Sequence, residues 1–161
     1  MIGNSPALAE ALGRFEGLYP ETIHLSLDRV QNALEAMGRP QDRLPPVIHV
    51  AGTNGKGSTC AFMRAMMEAA GLKVHVFSSP HLVRFNERIR LAGEIVDDER
   101  LISWLERTYE AINGFEITHF EATTATALLA FSEVPADVLI LEVGLGGSYD
   151  ATNVIDAPAL S

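Results

Sequence analysis

The residues best suited to chemistry are the run Gly52-Thr53-Asn54-Gly55-Lys56-Gly57-Ser58. Three glycines in seven positions permit backbone angles and close approaches that a Cβ would block. Amide N–H groups can then turn inward around phosphate oxygens, and a helix beginning there adds partial positive charge. Lys56 would reach the outer phosphates, and Ser58 offers the first hydroxyl after it, for phosphate or Mg²⁺. The run departs from the common phosphate-loop pattern G-x-x-x-x-G-K-[ST]. Val50 stands where the first glycine would be, and Gly57 stands where the hydroxyl would directly follow the lysine. A second candidate is Glu142, at the end of the apolar run Asp137–Val143. An acid there faces the crevice at the carboxyl ends of the strands and can help hold Mg²⁺ beside the phosphates. Taken alone it reads better as a strand-end carboxylate satisfied by backbone amides; the phosphate loop beside it favours the metal role.

The elements around these residues give them their context. Val47–Ala51 reads as a buried strand, Ser58–Ala70 as a helix stopped by Gly71, and Lys73–Phe77 as a second strand. Strand, glycine loop, helix, strand is the opening of a βαβ unit. Asp137–Val143 is almost continuously apolar, as expected for a strand covered on both faces. Ala7–Leu18 and Leu25–Met37 read as amphipathic helices, the second capped by Ser26 and ended by Gly38. Asn86–Val96 is a hairpin or an irregular loop. Asp97 can cap a helix running to about Ile112, and Phe120–Phe131 is another apolar helix. The expected fold is α/β, a P-loop-type doubly wound, mostly parallel sheet flanked by helices. Pro158–Ser161 reads as the start of a further strand, so the sheet is expected to be truncated before it is complete. Residues 1–45 are expected to form a helical segment packed on the core, and 46–161 an incomplete ATP-binding domain.

Composition narrows the partners. The chain has 161 residues, 47% hydrophobic and 20% charged, with a net charge of −9. That balance suits one globular unit with a core and argues against a broad nucleic-acid surface. Only Lys56 and Lys73 are lysines, so one of two sits inside the glycine run. No apolar stretch reaches the length of a membrane span, and no secretory signal is visible at the N-terminus. The single Cys60 excludes an internal disulfide framework. A monomer in the cytoplasm acting on small molecules is expected.

Several segments, taken in order, carry a resemblance. They are Gly52–Thr59, Ser78-Ser79-Pro80-His81-Leu82, Asn86-Glu87-Arg88-Ile89-Arg90, Phe120-Glu121-Ala122-Thr123, Glu142-Val143-Gly144-Leu145-Gly146-Gly147 and Asp150-Ala151-Thr152-Asn153. Together they resemble the bifunctional folylpolyglutamate synthase/dihydrofolate synthase family, within the Mur ligase superfamily, over nearly the whole chain. The resemblance implies an ATP- and Mg²⁺-dependent ligase. ATP would phosphorylate a carboxylate of dihydropteroate or of a folate glutamyl tail, and the amino group of L-glutamate would attack the acyl phosphate. It implies that Gly52–Ser58 is the ATP loop, with Lys56 and Glu142 catalytic, and that Ser79 and Glu142 are metal ligands. Thr22, Ile23, His24 and Leu25 match one part of the pterin pocket, and Phe120, Glu121, Ala122 and Thr123 match another. One departure is Ser148, where the family usually carries arginine. Family members also continue further, with a metal-binding histidine, a carbamylated lysine and a second domain, so a chain of this extent is expected to be inactive alone.

Plainer readings stand beside these. Phe120 and Thr123 can be core residues, and His81 a hydrogen-bonded loop histidine. Arg84, Arg88 and Arg90 can attract an anionic glutamyl tail or lie solvated on a loop. The alternatives in function are a Mur-type peptidoglycan ligase, a nucleotide-binding module without ligase activity, and a small-molecule kinase.

Overall fold

A computed structural model describes residues 3–18 and 26–161. Five helices and five strands form the framework: α1 Pro6–Gly13, α2 Asp28–Ala36, β1 Val47–Val50, α3 Lys56–Ala69, β2 Val74–Phe77, β3 Ile89–Leu91, β4 Glu94–Ile95, α4 Asp98–Ala111, α5 His119–Glu133 and β5 Val138–Glu142. The sheet order is β1-β5-β2-β3-β4. β5 pairs in parallel with both β1 and β2, while β3 and β4 extend the sheet antiparallel. The mostly parallel sheet expected from the sequence is therefore a mixed one, parallel in the part that carries the glycine loop. The reason is length. The segment after β2 is too short for a crossover, which needs a dozen residues or more, so β3 must return antiparallel. A two-residue Ala92–Gly93 turn, with φ of 49° and 98°, then closes the β3–β4 hairpin. Left-handed angles at both positions are what a tight hairpin requires.

Helices cover both faces. On one side α3 packs Cys60, Met63 and Met67 against Val74, Val76, Val138 and Ile140. On the other, α5 lies in the larger core with α1, α2 and α4 around it. α5 is buried continuously from Glu121 to Phe131, as a helix surrounded by other elements must be. Beside β1, Leu160 forms a parallel bridge with Ile48, in keeping with the strand expected at Pro158–Ser161.

Local signals set the helix ends. Asp97 accepts the Arg100 amide at 2.8 Å and starts α4, as its sequence position suggests. Thr118 and Glu121 form a reciprocal capping box, so α5 begins at His119 rather than Phe120. The expected helix Ala7–Leu18 divides into α1 and a 3₁₀ segment, Arg14–Leu18, where Gly13 and Gly17 weaken helical continuity. Ser26 accepts the Asp28 amide at 3.0 Å, but Leu27 occupies the N-cap of α2. The start of that expected helix, at Leu25, lies outside the described residues.

Arg29 on α2 donates two hydrogen bonds to Glu121 on α5, at 3.1 and 2.8 Å. Both side chains keep little solvent contact. Replacing Arg29 with Met leaves a mostly buried carboxylate without its counter-charge. The expected cost is about 2 kcal/mol, below the figure for fully buried pairs because Arg29 keeps some water. Urea unfolding of the variant checks this, and an unchanged midpoint would contradict it.

Candidate functional site

Three loops leave the same edge of the sheet because β1, β5 and β2 run parallel and side by side. Val50 pairs with Glu142, and Phe77 pairs with Leu141. The glycine run follows β1, Ser79 follows β2, and Glu142 ends β5. The chain crosses from β1 to β2 over one face and returns to β5 over the other, which opens a crevice at this edge.

The glycine run ends with Gly55 in the left-handed region, φ 76°, at the N-cap of α3. The helix thus begins at Lys56, two residues before the position expected from the sequence. Lys56, Gly57 and Ser58 form its first turn, and their amides have no acceptor within the helix. No side chain caps this end. The Lys56 ammonium folds back and donates to the Gly52 carbonyl at 2.9 Å. Glu142 is only 4% exposed. Its Oε2 accepts the Ser79 amide at 3.3 Å. A Cβ built on Gly57 would stand 3.7 Å from Glu142 Oε1, so the first turn of α3 passes close beside the carboxylate. Burial pushes the Glu142 pKa up, against the opposing pull of the Ser79 amide and the Lys56 charge. Cys60, one turn further along α3, has its thiol pushed up to about 12, mainly by burial and then by Glu142. It is an inert packing residue rather than a nucleophile.

Beyond β5, the loop from Gly144 to Tyr149 is tied down by Asp150. Its Oδ2 accepts the Leu145 amide at 2.7 Å, and its Oδ1 accepts the Thr152 amide at 3.0 Å and the Thr152 hydroxyl at 2.6 Å. His49 Nε2 lies 2.9 Å from that hydroxyl. The hydroxyl proton is committed to Asp150, so His49 must be the donor, with its proton on Nε2. Burial holds the His49 pKa down, although Asp150 opposes it. Neither His49 nor Thr152 is legible as part of this network from the sequence, because the partners lie 103 residues apart. The Asp150-Ala151-Thr152 spacing was the available signal, since Asp commonly bonds the backbone two residues on.

The other anticipated positions scatter. Phe120 packs on Phe77 and directly over Gly144. Glu121 is engaged by Arg29 and the Thr118 amide, while Ala122 and Thr123 are fully buried. Of those four, Phe120 alone borders the crevice loops. The Thr123 hydroxyl donates to the His119 carbonyl at 2.8 Å, within its own helix. Thr22, Ile23, His24 and Leu25 lie outside the described residues. Ser148 keeps its carbonyl as an acceptor for Asn153 Nδ2 at 3.1 Å. Among the described residues no three His, Cys, Asp or Glu side chains cluster as a metal cage. Glu142 with Ser79 nevertheless fits Mg²⁺, which uses one or two carboxylates together with phosphate oxygens and water. Among the described residues no helix is long and apolar enough to cross a membrane.

This fold and loop define a class: a P-loop-type α/β unit with an open crevice at the ends of its parallel strands. No protein-family model matches the chain. The dihydrofolate synthase/folylpolyglutamate synthase of Escherichia coli is 43% identical over 150 residues, covering 93% of this chain and 35% of that protein. The Yersinia pestis bifunctional folylpolyglutamate synthase/dihydrofolate synthase, solved with AMPPNP and Mn, superposes with a TM-score of 0.86 at 41% identity, over 93% of this chain and 36% of that one. The E. coli protein solved with DHPP and ADP gives 0.86 at 43% identity, with the same coverage. The chain belongs to the dihydrofolate synthase/folylpolyglutamate synthase family and spans about a third of the length of the relatives it matches.

Two outcomes test the geometry. Burial raises the folded-state pKa of Glu142 above its unfolded value, so the folded chain holds that proton more tightly. The contribution of Glu142 to stability is therefore greatest at low pH and declines as pH rises through the interval between the two values. Glu142→Gln is expected to raise the neutral-pH melting temperature by about 2–4 °C, for ~1 kcal/mol of relieved burial cost, and to flatten that pH dependence. A melting temperature that falls would contradict the buried-charge account. Gly144→Ala would place a Cβ 2.5 Å from Phe120 Cζ and 3.1 Å from Asp150 Oδ2. The expected loss is about 1–3 kcal/mol by chemical denaturation.

Proposed function

We propose that this chain is the nucleotide-binding front part of an ATP-dependent ligase that joins L-glutamate to dihydropteroate or to the glutamyl end of a folate. The observation that carries the reading is the convergence of the uncapped first turn of α3, Lys56 and the buried Glu142 on one crevice. Relatives over 40% identical across 93% of the chain support it, named for this activity and solved with an ATP analogue, ADP and DHPP.

A carboxylate is a poor electrophile, and its phosphorylation supplies a leaving group. In the first step a carboxylate oxygen of the acceptor attacks the terminal phosphorus of ATP. The bond to ADP breaks and a carboxyl–phosphate bond forms. In the second, the glutamate amino nitrogen attacks the acyl carbon, phosphate leaves with the bonding pair, and the nitrogen loses a proton. Residues Gly52–Ser58 bind the phosphate chain through their amides. Lys56 swings from the Gly52 carbonyl to the transferring phosphoryl group and offsets its charge. Glu142 and Ser79 would hold Mg²⁺, which when bound neutralises charge on the phosphates. Burial of Glu142 deprives it of water and makes a cation the natural partner. Phe120, over Gly144, offers an aromatic surface beside the crevice for a flat pterin or its aryl ring. Residues 1–45 act as a helical segment supporting the unit formed by 46–161. The substrates are small molecules, the working form is a monomer in the cytoplasm, and a net charge of −9 disfavours nucleic acid.

In the complete protein, Lys56→Ala is expected to lower kcat by about 10²–10³-fold with dihydropteroate, glutamate and ATP. Hydroxylamine added in place of glutamate should trap a hydroxamate. Turnover only with a UDP-linked acceptor would point to a Mur-type ligase. A stable phosphorylated product with no amide would point to a kinase. Unchanged kinetics would remove Lys56 from the mechanism.

A further inference from the structure

Of the three arginines in the segment after β2, two have evident partners. Arg84 pairs with Asp98 at 2.7 Å, and Arg90 donates to the Gly93 carbonyl at 2.8 Å. Arg88 is different. It is partly buried, and burial holds its pKa down, with no carboxylate among the described residues to offset it. Its guanidinium lies over the Phe85 ring at 5.2 Å. Its one hydrogen bond among the described residues runs from Nε to His81 Nδ1 at 2.9 Å. The two terminal nitrogens are left uncommitted. A cation drawn out of water without a counter-charge is costly, and proteins seldom keep one unless something anionic arrives.

His81 amplifies this. Arginine can only donate, so His81 Nδ1 must accept, and the neutral ring carries its proton on Nε2. Burial and Arg88 both hold the His81 pKa down. The pair therefore presents donors alone. Phe85 also meets His119, ring centroids 6.2 Å apart, and His119 immediately precedes Phe120. Among the described residues, the acids acting on this neighbourhood are Glu87 and Glu16. Glu87 is consumed by the amides of Leu82, Val83 and Arg84 at 2.8, 3.0 and 2.8 Å. Those three bonds also fix a loop whose Leu82 is 91% exposed and so gains little from packing. Glu16, on the 3₁₀ segment after α1, acts on His119. The loop that begins at Ser79 thus ends in an anion-seeking pair, two residues along the chain at His81.

We propose that Arg88 and His81 bind the carboxylate of the acceptor substrate and hold it between the Ser79 loop and Phe120. This rests on the ligase reading for the substrate's identity, although the carboxylate site itself does not. Arg88 would supply two terminal N–H groups to the carboxylate, and His81 Nε2–H a third donor.

The test has two arms on the complete protein. In the first, benzoate and its neutral isostere benzamide are titrated while NMR follows the Arg88 Nε–H and His81 ring signals. Saturable shifts with benzoate and at least about tenfold weaker ones with benzamide are expected. The preference should vanish in Arg88→Met and survive in weakened form in Arg88→Lys, which keeps the charge but not the fork. In the second, steady-state kinetics with dihydropteroate should show KM for that substrate raised about tenfold or more in Arg88→Met, with KM for ATP within about twofold. Equal response to benzoate and benzamide, or a preference that persists in Arg88→Met, overturns the proposal whatever the kinetics. Benzoate recognition without ligase turnover by the wild type leaves the carboxylate site standing and removes the ligase reading instead.

Discussion

The structure depends on a charge kept where water hardly reaches. Glu142 closes β5, the central parallel strand, and the first turn of α3 passes beside it. A carboxylate so placed costs stability unless positive partners surround it. The amide of Ser79 and the ammonium of Lys56 meet that cost in part. A divalent ion between carboxylate and phosphates would meet it more fully. The cost of folding the site and the strength of its ligand binding are thus two sides of one electrostatic fact.

The parallel strands make that arrangement possible. A βαβ crossover delivers two loops to the same sheet edge, and inserting β5 between β1 and β2 brings a third. The antiparallel β3–β4 hairpin extends the sheet without disturbing that edge. Its connection to β2 is the loop that carries Ser79, His81 and Arg88. The large core under α5 then holds the loops' roots fixed, with Phe77, Phe120 and Leu141 linking core to crevice.

Where the signal is local, the sequence is a good guide. Glycines around a lone lysine, a continuous apolar strand ending in an acid, and an Asp97 cap all act within a few residues. The glycine run and the acid come to the same edge of the sheet, and the cap starts α4. Relations across long separations are not readable in the same way. The Arg29–Glu121 pair joins residues 92 apart, and it turns a supposed pocket residue into a clasp between two helices. His49 and Thr152 are likewise joined only by strand placement. Ala122 and Thr123 looked like lining residues because a motif names neighbours alike, whereas a helix turns each by 100° and buries some of them. The capping box of Thr118 with Glu121 explains why α5 begins at His119 rather than at Phe120.

The most direct measurement uses Mn²⁺ with AMPPNP as a paramagnetic probe and follows backbone amide signals of the complete protein. If the crevice holds the metal–nucleotide pair, the amides of Gly57, Ser79 and Val143 broaden first, at substoichiometric Mn²⁺ and only with nucleotide present. Broadening that instead centres on the acidic surface at Asp97–Glu99, or that proceeds equally without nucleotide, would contradict the account.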